Sequence, residues 1–272
     1  MTTRKRTKTE LVSMHPTAEV DPNAELDTGV VVGPYCVIGP EVCVGSGSII
    51  EAHAVILGNT VLGRNTHVLP HAVIGGPPQL LKDLGRDVGL VCGDGNIFRE
   101  FTTVNTGTEL GGGPTRIGNH CLLMACSHVA HDCILGDHVE LMNNALLAGH
   151  IHISDRAIVS GGAAMHQWVT VGTLAFVGGL SRIVQDVPPY MIVEGNPSKV
   201  RGINMVGLRR NGHSEETIGT LKKAHRLIYR SQLTRKEALD QLETDDAIPE
   251  IRCLADFVRK SISGRQGRAQ QP

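Results

Sequence analysis

The chain has 272 residues, of which 41% are hydrophobic but only 3% are aromatic, so its core must be built from aliphatic side chains. The formal net charge of −1 and the pI near 6.9 leave no global basic surface, which argues against nucleic acid as a partner. The seven cysteines form no C-x-x-C pair, and we interpret them as reduced core thiols of a cytoplasmic protein.

The N-terminal segment 1–14 is predicted to be a flexible arm. Its first ten residues are basic and polar, and no apolar run follows them, unlike the pattern of a secretory signal. No stretch of the sequence approaches the length of a membrane span, so we expect none.

Residues 15–190 carry a sixfold repeat. Aliphatic residues occupy every sixth position in two series: Val20, Leu26, Val32, Ile38, Val44, Ile50, Ile56, Leu62, Val68 and Ile74, and then Ile117, Leu123, Val129, Leu135, Leu141, Leu147, Ile153, Val159, Met165, Val171, Val177 and Ile183. Neither a helix nor an ordinary strand has period six, whereas hexapeptide repeats coiled into a parallel β-helix do. The sequence therefore predicts a mainly β protein with this fold.

Two interruptions of the repeat are predicted to be loops that leave the coil. They lie between Ile74 and Val91 and between Thr103 and Ile117, and both are rich in glycine or proline. Between them, Val91, Ile97 and Thr103 are predicted to keep the sixfold step. Since three hexapeptides make one triangular coil, residues eighteen apart should stack about 4.8 Å from each other. On this arithmetic one face holds Ile74, Thr103, Val129, Leu147 and Met165, and both loops leave next to it.

The same arithmetic gathers histidines at one edge. His131, His150 and His166 follow that face on successive coils, and His128 lies nearby. Three histidines beside the two loops indicate a functional site. The edge of a solenoid is poorly shielded, so a neighbouring copy of the chain should supply a second wall. We therefore predict a symmetric trimer with sites between subunits.

Residues 191–263 are predicted to form a helical C-terminal domain. Ser214 is a plausible N-cap, and Thr234-x-x-Glu237 has the pattern of a capping box. Pro249 suits the first turn of a further helix. The tail 264–272 is predicted to be disordered.

The pair His131-Asp132 could perform general base catalysis. Histidine exchanges a proton near working pH, and an adjacent carboxylate can orient its ring. The backbone N–H of Gly149 could stabilise an oxyanion. Two structural alternatives stay open, in which Asp132 is only a turn residue and Gly149 is only a corner glycine. Three histidines could also hold zinc, but they include no closely spaced histidine pair, so we expect no metal.

Several motifs resemble one enzyme family over about residues 15–262. They include Ser127-His128-Val129-Ala130-His131-Asp132-Cys133, Leu147-Ala148-Gly149-His150, His166-Gln167 and Gly195-Asn196-Pro197. These segments resemble the acyl-carrier-protein–UDP-N-acetylglucosamine O-acyltransferases. The order of the histidine motifs is specific to this family, whereas hexapeptide repeats alone are not.

The resemblance implies a left-handed β-helix, a homotrimer and no cofactor. It implies that His131 deprotonates the 3-hydroxyl of UDP-N-acetylglucosamine, which attacks the thioester of an (R)-3-hydroxyacyl chain on acyl carrier protein. This reaction is the first step of lipid A biosynthesis. Asp132 would support His131, and the N–H of Gly149 would bind the oxyanion.

The resemblance also implies a set of substrate-binding residues. Lys82, His128, His150, His166 and Gln167 would position the sugar nucleotide and the acyl chain. Asn204 and Arg210 of an adjacent subunit would contact the nucleotide and its phosphates, and Gly179 would leave the groove open to a longer acyl chain.

This sequence departs from the family pattern at Leu80, Asn105, Val206 and Asn211. The acceptor could therefore be a 3-amino sugar nucleotide, which would give an amide instead of an ester. The remaining alternatives are a related N-acyltransferase or acetyl-CoA-dependent hexapeptide enzyme, a zinc-dependent hydratase on the same solenoid, and a scaffold without catalytic activity.

Overall fold

The computed structural model describes residues 11–80, 87–243 and 247–272, and they form a triangular parallel β-helix followed by helices. The strands of the first face are Ser13–Met14, Val31–Val32, Ile49–Ile50, His67–Val68, Ile97–Phe98, Leu122–Leu123, Glu140–Leu141, Ile158–Val159, Phe176–Val177, Met191–Gly195 and Ser198–Ile203. Those of the second face are Glu19–Val20, Val37–Ile38, Val55–Ile56, Val73–Gly76, Thr103–Asn105, His128–Val129, Leu146–Leu147, Ala164–Met165 and Arg182–Ile183. Those of the third face are Glu25–Leu26, Val42–Val44, Thr60–Leu62, Asp87–Cys92, Thr115–Ile117, Ile134–Leu135, His152–Ile153 and Thr170–Val171.

The sixfold repeat explains this architecture, and the predicted β-helix is confirmed. Most of the two-residue strands turn one side chain inward, as at Ile50, Leu123 and Leu147, which are fully buried. Burying one such side chain contributes about 1.5–3 kcal/mol. Coils pair in parallel with a step of eighteen residues, so that Val129 pairs with Leu147 and Leu147 with Met165. Residues eighteen apart therefore do stack.

The predicted inward residues between the two loops are wrong by one position. Cys92, Phe98 and Val104 are buried, whereas Ile97 is 38% exposed. In the second face Ile74 pairs with Val104, and Thr103 pairs with Val73. The buried residues after the first insertion still lie at multiples of six from those of the first series. This spacing shifts only across the second insertion. Because neighbouring residues of a strand point to opposite faces, a shift of one residue reverses the assignment of each side chain.

Both insertions leave the coil at the same corner, as predicted. They follow the second-face strands Val73–Gly76 and Thr103–Asn105, and each returns to the third face. Within the second insertion, the short strand Gly107–Thr108 pairs antiparallel with Asp87–Cys92. The two insertions thus support each other at what we call the 2–3 corner, where the chain passes from the second face to the third.

The C-terminal region begins as β structure and only then becomes helical. Met191–Gly195 and Ser198–Ile203 form an antiparallel hairpin at the end of the first face. The helices are α1 (Met205–Arg210), α2 (Glu215–Arg230), α3 (Arg235–Leu242) and α4 (Pro249–Ser263).

The predicted helix-start signals are all present. Ser214 accepts a hydrogen bond from the N–H of Thr217, Thr234 and Glu237 form the capping box, and Pro249 lies in the first turn of α4. The helices pack through buried residues such as Leu208, Leu221 and Leu254.

The tail, which was predicted to be disordered, lies against the last coils. Arg268 is only 3% exposed, and its guanidinium donates to the carbonyl of Val184. The N–H of Ala269 donates to the Asp186 carboxylate at 2.8 Å, and the side chain of Gln270 lies 2.7 Å from a ring nitrogen of His152. These contacts fix the tail against the last coils.

The remaining expectations concern the arm, the thiols and the membrane. Residues 1–10 of the arm lie outside the described residues, while Ser13–Met14 already pairs with Val31–Val32. All seven cysteines are free thiols; Cys36, Cys92, Cys121 and Cys133 are buried, Cys43 is half-buried, and Cys126 and Cys253 are exposed. Within the described ranges, none of the helices has the length and apolar character needed to cross a bilayer.

Candidate active site

Stacking at the 2–3 corner brings the predicted catalytic residues together. The eighteen-residue step places His131, Gly149 and Gln167 in one column and Asp132, His150 and Trp168 in the next. Every member of the second column has a left-handed backbone, with φ between 61° and 69°. The first column comes one residue before these left-handed residues. It therefore lies at the turn itself, beside the two insertions.

His131 and Asp132 form a buried dyad. Nδ1 of His131 lies 2.6 Å from Oδ2 of Asp132, and the two residues are only 7% and 6% exposed. An ionised carboxylate can only accept a hydrogen bond, so it selects the imidazole tautomer with the proton on Nδ1. The lone pair of Nε2 is then available to remove a proton from a substrate. Asp132 is therefore more than a turn residue.

The Asp132 carboxylate is held by the second insertion as well as by His131. The backbone N–H of Thr108 donates to Oδ1 at 2.7 Å, and the hydroxyl of Thr108 lies 3.0 Å from Oδ2. Burial alone would raise the pKa of Asp132, but the hydrogen bonds from His131 and Thr108 outweigh it and hold this pKa below its usual value. Asp132 is therefore ionised at neutral pH. Sequence reasoning missed Thr108, because the path of an insertion does not follow from the repeat.

Gly149 lies directly against the ring of His131. A Cβ at residue 149 would come within 2.5 Å of Cε1 and 2.7 Å of Nε2 of His131. The N–H of Gly149 has no partner among the described residues, so it is free to donate to a substrate oxyanion. The glycine is therefore required by the ring beside it, and it is not merely a corner residue.

His150 and Trp168 complete the wall beside the dyad. Nε2 of His150 lies 3.6 Å from Oδ2 of Asp132, and its ring is perpendicular to that of His131. The ring of His150 stacks on Trp168 with centroids 3.8 Å apart. Burial lowers the pKa of His150, so it is predominantly neutral near pH 7. Sequence reasoning missed Trp168, although it is the single tryptophan and follows His150 by eighteen residues.

A cleft of about 320 Å³ adjoins this cluster. Its lining includes Asp132, His150 and Trp168, the glycine-rich segment 111–113 of the second insertion, and Gln270 of the tail. The second insertion and the tail thus line the same cleft as Asp132.

The other predicted residues near this corner are less enclosed. Nδ1 of His128 lies 2.8 Å from the Thr103 hydroxyl, and burial lowers the pKa of His128. His166 and Gln167, one coil further on, are exposed. Lys82 lies outside the described residues.

Three predicted residues lie away from the dyad in the same chain. Gly179 lies at the corner between the first and second faces. Asn204 is buried as the N-cap of α1, where Oδ1 accepts from the N–H of Gly207 and Nδ2 donates to the carbonyl of Leu174. Arg210 is exposed and shares with Asn204 a cleft of about 540 Å³ beside the first face.

The four departures from the family pattern differ in their surroundings. Leu80 and Val206 are exposed, and Oδ1 of Asn211 accepts a hydrogen bond from Arg156 at 3.0 Å. Asn105 is buried and donates to the carbonyl of Pro77 at 2.9 Å, which links the two insertions. Its Oδ1 has no partner within the part of the chain that the structure describes.

The same cluster contains a potential set of metal ligands. Ligand atoms of His131, Asp132 and His150 all lie within 4.8 Å of one another, the one such group found among the described residues. Two imidazoles and a carboxylate are donors that zinc accepts. A direct measurement of metal content is therefore part of the functional test.

Two family models match the chain. The model described as UDP-N-acetylglucosamine O-acyltransferase, domain 2, covers residues 186–267, and that of the bacterial transferase hexapeptide covers residues 114–149. Proteins named acyl-[acyl-carrier-protein]–UDP-N-acetylglucosamine O-acyltransferase from Anaeromyxobacter sp. (strain Fw109-5) and Gloeothece citriformis are 47% and 48% identical to it. The first match covers 75% of this chain and 79% of the relative, and the second covers 78% and 77%.

Solved structures agree with this relationship. The LpxA of Bacteroides fragilis has a TM-score of 0.87 and 39% identity, covering 90% of this chain and 96% of that one. The LpxA of Acinetobacter baumannii has a TM-score of 0.86 and 41% identity, covering 89% and 95%. The resemblance and the left-handed parallel β-helix that it implied are confirmed. The chain therefore belongs to the family of acyl-[acyl-carrier-protein]–UDP-N-acetylglucosamine O-acyltransferases.

Proposed function

We propose that this chain transfers an (R)-3-hydroxyacyl group from acyl carrier protein to the 3-hydroxyl of UDP-N-acetylglucosamine, the first step of lipid A biosynthesis. The observation that carries the proposal is the buried His131–Asp132 dyad, whose ring packs against Gly149, a residue whose N–H has no partner among the described residues. Both substrates are those named for the relatives.

In the proposed reaction His131 acts as general base and then as general acid. Its Nε2 takes the proton of the sugar hydroxyl, and the hydroxyl oxygen attacks the thioester carbonyl carbon. The N–H of Gly149 donates to the oxyanion of the tetrahedral intermediate. When the intermediate collapses, the carbon–sulfur bond breaks, the sulfur takes the proton from His131 and leaves as a thiol, and the imidazole is neutral again. Asp132 stabilises the imidazolium while it exists.

We further propose a homotrimer with active sites between subunits. Gly179, Asn204 and Arg210 lie too far around the coil to serve the dyad of their own chain, so a neighbouring subunit would supply them. Exposed apolar side chains beside the 2–3 corner support such packing, since Ile134 is 40% and Leu146 is 47% exposed. The Arg210 guanidinium, which has no ion pair among the described residues, would bind the diphosphate. We place the reaction in the cytoplasm, and the free thiols support this.

Mass spectrometry tests the reaction. The purified protein is given a mixture of hydroxyacyl carrier proteins with UDP-N-acetylglucosamine, and in a parallel reaction with its 3-amino analogue. We expect an ester with the first acceptor, and His131→Ala should lower its rate by about a thousandfold because the general base is lost. His53→Ala, on an exposed corner, is the matched control and should keep the wild-type rate.

Each other outcome points to a different function. Wild-type turnover in His131→Ala would exclude this residue as the base, and a preference for the 3-amino sugar would identify an amide-forming enzyme. No transfer by the wild type, together with one zinc ion per chain by elemental analysis, would favour a hydratase that uses His131, Asp132 and His150 as ligands.

A further inference from the structure

Thr108 contacts the catalytic carboxylate more extensively than any residue predicted from the sequence. It is 3% exposed and lies in the second insertion. Its backbone N–H donates to Oδ1 of Asp132 at 2.7 Å, and its hydroxyl lies 3.0 Å from Oδ2, the oxygen that also contacts His131. Thr108 thus contacts both oxygens of one carboxylate.

The direction of each hydrogen bond follows from the available donors. The N–H of Gly111 donates to Oγ1 of Thr108 at 2.9 Å. Since Asp132 is ionised and can only accept, the single hydroxyl proton of Thr108 must be directed to Oδ2. The result is a chain of donors from Gly111 through Thr108 to Asp132, with His131 donating to the same oxygen.

Thr108 is itself held firmly. Its strand, Gly107–Thr108, pairs with Asp87–Cys92, so the first insertion supports it. On the other side, a Cβ at Gly111 would come within 2.1 Å of Cγ of Asp132, which shows how closely the loop backbone packs on the carboxylate. Asp132 therefore has little freedom to rotate away from His131.

We propose that Thr108 is a positioning residue of the general base, which fixes the Asp132 carboxylate so that Oδ2 holds the Nδ1 proton of His131 and Nε2 faces the substrate. This inference rests on the proposed acyl transfer. Thr108 acts through Asp132 and not by contact with a substrate. The second insertion then has a catalytic purpose beyond forming a wall of the cleft.

The test compares Thr108→Val with Thr108→Ser in the acyl-transfer assay. Valine has nearly the same shape as threonine but no hydroxyl, and it keeps the backbone N–H. We expect kcat to fall about tenfold with little change in KM, at the lower end of what the loss of an outer hydrogen-bond partner costs. Serine keeps the hydroxyl and should restore kcat to within about twofold of wild type.

The pH profile separates positioning from a purely structural role. Without the Thr108 hydroxyl the carboxylate stabilises the imidazolium more strongly, so in Thr108→Val the acid limb of kcat/KM should move to higher pH. Thr66→Val is the matched control: its hydroxyl is also buried and donates to the carbonyl of Gly63 at 3.0 Å, far from the dyad. This variant should keep the wild-type kcat and profile.

The remaining outcomes overturn the inference. An unchanged kcat in Thr108→Val would show that the hydroxyl does not position the base. A loss in kcat without any shift of the acid limb, shared by Thr108→Ser and accompanied by a lower melting temperature, would show a structural role only. If the wild type gives no transfer at all, the proposed function fails first, and that result is distinct from a failure of the Thr108 variants.

Discussion

Two groups of neighbouring rings along the coil differ in character. The ring ladder, Tyr35, His53, His71 and Phe101, runs along the corner between the first and second faces with centroids 4.9–5.1 Å apart and planes within 10° of parallel. The site cluster, His131, Asp132, His150 and Trp168, lies at the 2–3 corner. All rings of the ladder are exposed, whereas His131 and Asp132 are buried. Coil periodicity produces both groups, so stacking alone does not make a site.

Two differences separate the site cluster from the ring ladder. In the ladder, His53 and His71 occupy the left-handed corner position, at φ of 61° and 63°. In the site cluster Asp132 occupies that position and His131 precedes it, so a carboxylate lies beside the ring. The second difference is cover, because both insertions leave from the 2–3 corner and Thr108 contacts Asp132 there. The site cluster thus differs from the ring ladder because its histidine lies one residue before the left-handed position and because the insertions cover it.

Among the variants that separate the two ring groups, Gly149→Ala is expected to lose the most activity. The new methyl group would meet the His131 ring within 2.5 Å, so the ring must move from Asp132 or from the substrate. We expect transfer to fall by about a thousandfold, the scale of losing a general base, while the fold is kept. The measurement is kcat/KM together with circular dichroism.

Gly202→Ala is the matched control for that substitution. A Cβ at Gly202 would have no atom within 4 Å, so activity should stay at the wild-type level. Full activity in Gly149→Ala would mean that the ring of His131 tolerates a methyl group beside it. The close packing of His131 would then not distinguish the site cluster from the ring ladder.

A smaller effect, of about a hundredfold on kcat, is expected from Asp132→Asn. An amide has one acceptor oxygen, so it cannot serve both His131 and the two donors of Thr108, and the wrong imidazole tautomer becomes favourable. In the wild type the pKa of Asp132 is below that of an unfolded carboxyl, about 3.9. The folded state thus binds fewer protons, and this stabilisation is full above the unfolded pKa and is lost as pH falls through the folded one.

Urea unfolding between roughly pH 5 and 3 measures this contribution. Asp132→Asn should lose stability less steeply than the wild type as pH falls. Asp137→Asn is the control for the acid effect, because hydrogen bonds from the Asn119 backbone N–H at 2.7 Å and side chain lower the pKa of Asp137 too, but away from the dyad. It should share the flatter pH dependence and keep full activity. Normal turnover in Asp132→Asn would remove the carboxylate from the mechanism.

The sequence predicts the fold well because the repeat is a direct consequence of packing. A side chain that points into a narrow coil must be aliphatic and must recur every six residues, as Ile50 and Leu123 do. The prediction failed at Cys92, Phe98 and Val104, where the neighbours Val91, Ile97 and Thr103 are also apolar or β-branched. Two adjacent series then fit the same period, and only the length of the loop decides between them.

The site was predictable where it follows the coil and not where it follows the insertions. The spacing of His131, Gly149 and His150 follows the eighteen-residue length of one coil. Trp168 could have been found by one more step of eighteen. Thr108 lies where the chain leaves the coil, so no period places it beside Asp132. The hydrogen bond from Asn204 to the carbonyl of Leu174 depends equally on tertiary packing, because the two residues are far apart in the chain.

The smallest effect is expected from His71→Ala, which interrupts the ring ladder between His53 and Phe101. Stacked aromatic pairs contribute about 0.5–1.5 kcal/mol, and rings in water lie at the low end, so urea unfolding should show a loss below about 1 kcal/mol. Acyl transfer should stay within about twofold of wild type, since among the described residues no ionised partner or insertion depends on this ring. If transfer failed or the assembly came apart, the ladder would be a buried interface between subunits. In that case a neighbouring chain would bury the ring ladder on assembly. The insertions alone would then not explain the difference between the two ring groups.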